Sequence, residues 1–160
     1  MNKWELEYWT GYSARLERMH AVLLGRFDKL ASGLQFIAGM TIFADIANTK
    51  WAGALMAVLS VATFTLQPGT KAAEATNQAR AYQSFGLRIK SLGIVNAREE
   101  FAKIQEGDSS VLGALCSAAE YGELLRLGAT PPFRLSMRER IIAWLGGDLP
   151  QLPRPPTVAP

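Results

Sequence analysis

The sequence contains few of the residues that build disulfide-bonded domains or metal sites. It has one cysteine, Cys116, and one histidine, His20, among 160 residues. A single cysteine excludes a disulfide within the chain, and one cysteine with one histidine excludes a Cys/His zinc site. A Walker-type phosphate loop and a dinucleotide fingerprint are also missing. We therefore predict a protein that is not an enzyme and has neither a metal nor a cofactor.

The composition favours helices. Alanine (23 residues) and leucine (20 residues) make up more than a quarter of the chain, which argues against a sandwich or barrel. Hydrophobic residues account for 49% and charged residues for 19%. The net charge of +3 is weak support for a nucleic-acid partner or an anionic lipid partner. We predict an all-α fold of one domain or slightly more.

Two long runs carry no charge. Trp51–Thr70 has 20 such residues and Leu30–Ala44 has 15. A bilayer core of about 30 Å needs about 20 helical residues, and the first run reaches a workable length if Asp45 lies among the lipid headgroups. We therefore predict a transmembrane helical hairpin that comprises residues 32–66. Its two helices are expected at Ser32–Ala47 and Trp51–Leu66.

The alternative is a soluble hairpin buried inside a helical bundle. Five polar residues make the two runs less apolar than an ideal lipid-facing pair of helices: Gln35, Thr41, Ser60, Thr63 and Thr65. A signal peptide is not expected, because a long charged helix precedes the apolar runs.

Basic residues predict the orientation of the hairpin. Three precede it and four follow it closely: Arg18, Arg26, Lys29, Lys71, Arg80, Arg88 and Lys90. The tip contains Lys50 alone. The positive-inside rule then places both termini in the cytoplasm.

The segments on either side of the hairpin read as amphipathic helices. In residues 1–31, apolar side chains recur at three- and four-residue steps: Trp4, Tyr8, Tyr12, Leu16, Met19, Leu23, Phe27 and Leu30. Residues 70–106 carry a second stripe: Ala75, Ala79, Tyr82, Phe85, Ile89 and Leu92. A C-terminal helical region is expected at 108–147, followed by a proline-rich tail at 148–160.

Four local signals predict where helices begin after the hairpin. They are Thr70 as a cap after Pro68-Gly69, a capping box at Asn96–Glu99, a start at Asp108-Ser109-Ser110, and a capping box at Ser136–Glu139. Helix ends are expected before Gly107, at Gly128 and before Gly146-Gly147.

The order of these elements resembles a known family. A basic, aromatic helix (TGYSARLERMHAVLLGRFDKL) leads into the hairpin, and a second basic, aromatic helix follows it (KAAEATNQARAYQSFGLRIKSL). This arrangement resembles the SLATT family of bacterial two-helix membrane proteins over about Tyr8 to Leu92. The resemblance implies an effector of antiviral conflict systems that oligomerises and breaches the inner membrane. It also implies a nucleotide-signalling or sensor protein as partner.

The hairpin supplies the candidate pore residues. Gly53 and Ala57, with Ser60 nearby, form a small-residue step that suits helix association in lipid, or that only packs the two helices of one hairpin. Gln35 and Thr63 are candidates for lining a pore or for bonding between helices. Asp45 and Lys50 mark the outer mouth, or simply fix the interface.

The flanking helices supply candidate interaction residues. They are basic or aromatic: Tyr8, Tyr12, Arg15, Arg18, Arg80, Tyr82 and Arg88. His20 is expected to be exposed or to pack between helices, Cys116 to be a small buried residue, and the pairs Glu99-Glu100 and Glu120/Glu123 to be solvated. Arg134, Arg138 and Arg140 suit a helix on anionic lipid, with Trp144 at the interface, better than a nucleic-acid site.

Three functions remain open from the sequence. The first is a pore-forming membrane effector whose partners are lipid and copies of itself. The second is a non-conducting membrane anchor that carries a scaffold. The third is a soluble, all-helical structural subunit of a phage or secretion assembly.

Overall fold

The computed structural model describes residues 1–43 and 49–149, with no account of the side chains of Phe43 and Thr49. Within these ranges the regular structure is helical and contains no strand, which confirms the all-α prediction. The elements are α1 (Lys3–Phe43), α2 (Thr49–Leu66), α3 (Pro68–Arg88), α4 (Ile94–Gln105), a 3₁₀ turn (Gly113–Leu115), α5 (Cys116–Arg126) and α6 (Met137–Leu145).

α1 is the axis of the fold. It has 41 residues, which corresponds to a length of about 62 Å. α2 and α3 run antiparallel to it, one after the other, in a nearly constant register. Three pairs of neighbouring residues define this register: Gln35 with Ser60, Asp28 with Gly69, and Thr10 with Gly86. The end of α1 that contacts α2 is called the hairpin end here, and the end that contacts α3 to α6 is called the bundle end.

A local break separates α2 from α3 at Gln67. This residue lies in the left-handed region, with φ 47° and ψ 51°. Pro68 follows as the first residue of α3, where its missing N–H costs no helical hydrogen bond. Thr70 therefore lies inside the first turn, and the prediction that it caps α3 is wrong. α2 also begins at Thr49, two residues before the predicted start.

Two apolar clusters form the core of the bundle end. In the first, one face of α1 packs on α3 and α4: Leu6, Ala14, Tyr82, Phe85, Ile89, Ala97 and Phe101. In the second, a neighbouring face of α1 packs on the 3₁₀ turn, α5 and α6: Leu16, Met19, Leu115, Ala118, Ala119 and Ala143. α1 is thus buried on two sides, which makes it the element that joins the clusters.

The two predicted stripes have different outcomes. The stripe on α3 is confirmed, because Ala75, Ala79, Tyr82, Phe85 and Ile89 are all buried. The stripe on α1 is correct only in its middle, where Leu16 and Met19 are buried and Tyr12 and Leu23 pack against them. At its ends Trp4, Phe27 and Leu30 are exposed.

The chain from Asp108 to Leu112 is not helical, and the predicted helix start at Asp108 is wrong. The side chains that would cap a helix bond elsewhere. The Tyr82 hydroxyl donates to the Asp108 carboxylate at 2.7 Å. The Ser109 hydroxyl donates to the carboxylate of buried Glu17, and the Ser109 amide also donates to it at 3.0 Å. His20 is buried beside Ser109, as expected for a packing histidine. Helix α5 begins only at Cys116.

The remaining predicted helix ends are mostly correct. Ser136 accepts from the Glu139 amide in a complete capping box, and α6 ends before Gly146 as expected. α4 ends before Gly107, and Gly128 follows α5 with φ 75°. The capping box at Asn96 is wrong, because α4 already begins at Ile94. The tail from Pro150 onward lies outside the described residues.

Glu17 generates a prediction for pH dependence. Burial raises its pKa above the usual value of 4.5, although the two hydrogen bonds from Ser109 act in the opposite direction. The folded chain therefore holds this proton more tightly than the unfolded chain does. The stability that Glu17 contributes is fully present below pH 4.5 and is lost as the pH rises through the raised pKa.

We expect Glu17→Gln to remove this loss. The Tm of the variant minus the Tm of the wild type should increase as the pH is raised from about 4, and should level off once the pH is above the raised pKa. Glu106→Gln, at an exposed carboxylate, is the charge-matched control. A Tm difference for Glu17→Gln that is flat with pH, or that decreases, would contradict the account.

Candidate functional site

The surface of the hairpin end is apolar and exposed. The exposed large apolar side chains here are Leu30, Leu34, Phe36, Ile37, Met40, Trp51, Leu55, Val58, Val61, Phe64 and Leu66. We call this set the apolar collar. Phe64 is 81% exposed and Val58 is 66% exposed, so these side chains do not form the buried core of a soluble protein. Apolar patches of this extent usually mark an interface with lipid or with another protein.

The helix that carries half of the collar has the dimensions of a membrane span. Among the described residues, one helical stretch, Lys50–Arg88, is long and apolar enough to cross a bilayer, judged by length and composition alone. A core helix of a soluble protein passes the same test but is mostly buried. Here only 6% of the apolar window is buried.

The two helices of the hairpin end face each other through small and polar groups. Ala31 and Ala38 on α1 are buried. Between them Gln35 donates to the Ser60 hydroxyl across the helix pair at 3.2 Å. Thr63 donates to the Leu59 carbonyl of its own helix at 2.9 Å. The predicted bond between helices therefore exists for Gln35 and Ser60, and Thr63 is satisfied locally.

The predicted small-residue step lies largely outside this contact. Among the described residues, no heavy atom lies within 4 Å of a Cβ added at Gly53, and Ala57 is exposed. Packing inside one hairpin thus leaves space on this face of α2. Lys50 lies in the first turn of α2 and is exposed. Asp45 lies outside the described residues.

An aromatic row follows the first three turns of α1. Trp4 stacks on Tyr8 with ring centroids 5.7 Å apart, and Tyr8 stacks on Tyr12 at 6.3 Å. Burial raises the pKa of both tyrosines, with further contributions from Glu120 and, for Tyr12, from the neighbouring Cys116. Cys116 itself is only half-buried, so the expectation of a buried cysteine is met in part.

The polar residues of the bundle end surround a cavity of about 580 Å³ between α1, α3 and α5. Arg15 and Arg18 both line it, and each donates to Asp148, at 2.6 and 2.8 Å. Glu123 and Arg126 lie on the opposite wall. The cavity therefore contains ion pairs, and Glu7 and Lys90 line it as well.

Glu123 contradicts the prediction of a solvated carboxylate. It is only 1% exposed and accepts from Arg126, at 2.9 Å from Nε to either oxygen and 2.6 Å from Nη2. This pairing raises the pKa of Arg126. The Glu123 carboxylate reaches the α1 backbone because Gly11 has no side chain, and a Cβ there would lie 1.9 Å from Oε1. Of the other predicted pairs, Glu99 is exposed and Glu100 accepts from Arg88.

The other predicted interaction residues divide between two roles. Tyr82 is fully buried and Arg88 bonds to α4, so both support the fold. Arg80 lies away from the cavity described above and lines a second groove together with Arg18. The structure thus does not bring the seven predicted residues into one site.

Sequence reasoning missed the contacts that hold α6 on α1. Arg26 donates to the carbonyl oxygens of Trp144 and Leu145 at 2.7 and 2.8 Å, and its guanidinium lies 5.9 Å from the centre of the Trp144 ring. Gly147, with φ 76°, lets the chain turn so that Asp148 reaches α1. The only signal in the sequence was an acidic residue directly after a Gly-Gly pair.

Comparison with protein-family models, with curated proteins and with solved structures gives no match. In the part of the chain that the structure describes, no cluster of three or more His, Cys, Asp or Glu side chains suits a metal ion. The apolar collar and the charges next to it are therefore the features that bear on function.

The crossing of α1 and α5 generates a prediction. Gly11→Ala should lower the free energy of unfolding by about 1–3 kcal/mol, since the new methyl group displaces the buried Glu123–Arg126 pair. Gly25→Ala is the control on the same helix, because its Cβ meets nothing within 4 Å. The control should be neutral or stabilising by up to about 1 kcal/mol. Equal effects in thermal unfolding of the two variants would contradict the described crossing.

Proposed function

We propose that the hairpin end inserts into a lipid bilayer as a two-helix hairpin. The single observation that supports this most is the apolar collar, which is exposed on both helices and interrupted by no charge among the described residues from Leu30 to Phe43 and from Trp51 to Leu66. α2 has 18 residues, or about 27 Å, close to the thickness of the hydrocarbon core. Gln35 donates to the Ser60 hydroxyl between the helices, where a polar group within hydrocarbon needs a protein partner.

The charges next to the collar suggest the orientation. Lys29 and Lys71 lie just beyond the two ends of the collar at the bundle side, and further basic residues follow on α1 and α3. The opposite tip carries Lys50 as its only basic residue. Under the positive-inside rule, the bundle end and both termini lie in the cytoplasm of a bacterial cell, at the inner membrane.

We further propose that several hairpins associate and perturb or permeabilise the membrane. Two helices do not enclose a water path, so conduction requires an oligomer. The open face at Gly53 and Ala57 supports this association, because helix backbones approach most closely at small residues. The resemblance to the SLATT family adds the biological setting, a bacterial antiviral system in which a sensor or nucleotide-signalling protein triggers the oligomer.

Two alternatives predict different behaviour of the same surface. A non-conducting anchor uses the collar only to hold the bundle end at the membrane as a scaffold. A soluble subunit of a phage or secretion assembly covers the collar with neighbouring protein chains. Both alternatives keep the hairpin geometry. The three functions therefore differ in two properties: whether lipid or protein covers the collar, and whether ions pass.

Fractionation and conductance measured together test the proposal. After expression in bacteria, the protein should stay in the membrane pellet through high-salt and alkaline washes. Reconstituted into a planar bilayer, it should conduct ions, and induction should depolarise cells stained with a voltage-sensitive dye. Retention without conductance or depolarisation, including in cells that also carry its genomic neighbours, favours the anchor. Release of soluble protein without detergent contradicts membrane insertion itself.

The open face of α2 predicts the effect of a single substitution. Gly53→Ile should weaken oligomer formation in detergent by about tenfold, because the branched side chain keeps neighbouring backbones apart. Gly33→Ile on α1 is the control, since its Cβ also meets nothing within 4 Å but no small-residue step surrounds it. Sedimentation equilibrium measures both variants. An unchanged oligomer for Gly53→Ile, or equal weakening in the control, would exclude this face as the interface.

A further inference from the structure

A second groove lies between α1 and α3, on the cytoplasmic side of the apolar collar in the proposed orientation. Its volume is about 580 Å³, within the range of small-molecule sites. Four basic side chains line it: Arg18, Arg26 and Lys29 from α1, and Arg80 from α3. Among the described residues that line it, none is acidic. Its remaining walls are mostly glycine, alanine and valine, with Thr76 and Gln83 as neutral polar groups.

The positive charges of this groove are only partly compensated. Arg18 donates to Asp148, but Arg15 shares the same carboxylate. Arg26 donates to two backbone carbonyls, which accept its hydrogen bonds and leave its charge in place. Within the described ranges, Lys29 and Arg80 form no ion pair. Like charges on one concave surface repel each other and concentrate anions from solution.

The spacing of the charges limits the ligand. Arg18 and Lys29 are 11 positions apart on one helix, or about 16 Å along its axis. One phosphate or carboxylate does not reach all four cations over this length. No aromatic ring lines the groove in the part of the chain that the structure describes, so the lining offers no aromatic surface for stacking a nucleobase. Arginine and lysine side chains that converge without acidic neighbours are typical of phosphate recognition.

We propose that this groove binds an anion that carries two or more phosphate groups. Lys29 and Arg26 contact the phosphate nearest the bilayer, and Arg80 and Arg18 contact the one further away. Two sources supply this chemistry, a soluble oligophosphate or the headgroup of an anionic phospholipid with two phosphates, such as cardiolipin. The lipid source rests on the proposed membrane insertion, because only then does Lys29, next to the first residue of the collar, lie at headgroup depth.

The test uses the full-length protein with two groove residues changed, Lys29→Gln together with Arg80→Gln. Both side chains are exposed and hold no ion pair in the described structure, so the fold should be unchanged, as circular dichroism will check. Arg138→Gln with Arg140→Gln removes the same charge from exposed positions of α6 outside the groove and is the control.

Two probes distinguish the sources. Inorganic tripolyphosphate is titrated calorimetrically into protein in neutral detergent, which does not depend on membrane insertion. In parallel, the protein is extracted from vesicles of phosphatidylcholine and cardiolipin, and the cardiolipin that co-purifies is counted by mass spectrometry.

Binding of tripolyphosphate that falls about tenfold or more in the groove variant, but not in the control, supports the soluble source. Loss of co-purified cardiolipin in the groove variant alone, without tripolyphosphate binding, supports the lipid source. Absence of both signals in the wild type, or equal losses in the two variants, overturns the proposal. Fractionation separately tests insertion, so a soluble protein that still binds tripolyphosphate would contradict the proposed function and leave the groove proposal standing.

Discussion

The apolar collar contacts water if nothing covers it, and this unfavourable contact has to be explained before any other feature of the chain. Moving one large apolar side chain out of water stabilises a protein by about 1.5–3 kcal/mol. The collar has eleven such side chains on two helices, and its most apolar window is 6% buried. A chain of marginal stability does not leave this much surface in water. The collar therefore needs a cover, and the cover that we propose is lipid, which matches its length and its lack of charge.

At the bundle end the same chain buries its apolar side chains within itself. There α1 is buried on two sides, by α3 and α4 on one face and by α5 and α6 on the next. Glycines allow the close contacts between helices. Arginines of α1 hold the C-terminal segment against α1 through Asp148 and the carbonyls of α6. α1 passes from this bundle into the hairpin end as one helix. A rotation of α1 within the bundle would therefore also rotate the hairpin, which gives a partner of the bundle a direct physical route to the proposed oligomer.

Much of the fold could be predicted from periodicity and charge, because helices record their buried face in local sequence. The stripe of α3, the capping box at Ser136 and the hairpin geometry followed from such patterns. The buried pair of Glu123 and Arg126 could not be predicted, because it depends on Gly11 of a distant helix. Asp108 and Ser109 looked like a helix start but bond to Tyr82 and Glu17, which are distant in sequence. The candidate residues Arg18 and Arg80 were found as single charges, and only the fold places them in one groove.

Cysteine accessibility in washed membranes tests the solvent of the collar most directly. With Cys116→Ser as background, Val58→Cys and Leu87→Cys place a thiol at exposed sites on α2 and α3, where the native side chains are 66% and 87% exposed. The account predicts that a membrane-impermeant maleimide labels position 87 in opened vesicles and leaves position 58 unlabelled until the membrane is dissolved and the protein unfolded. Equal labelling of the two positions in intact bilayers would show that water surrounds the collar and would contradict the account.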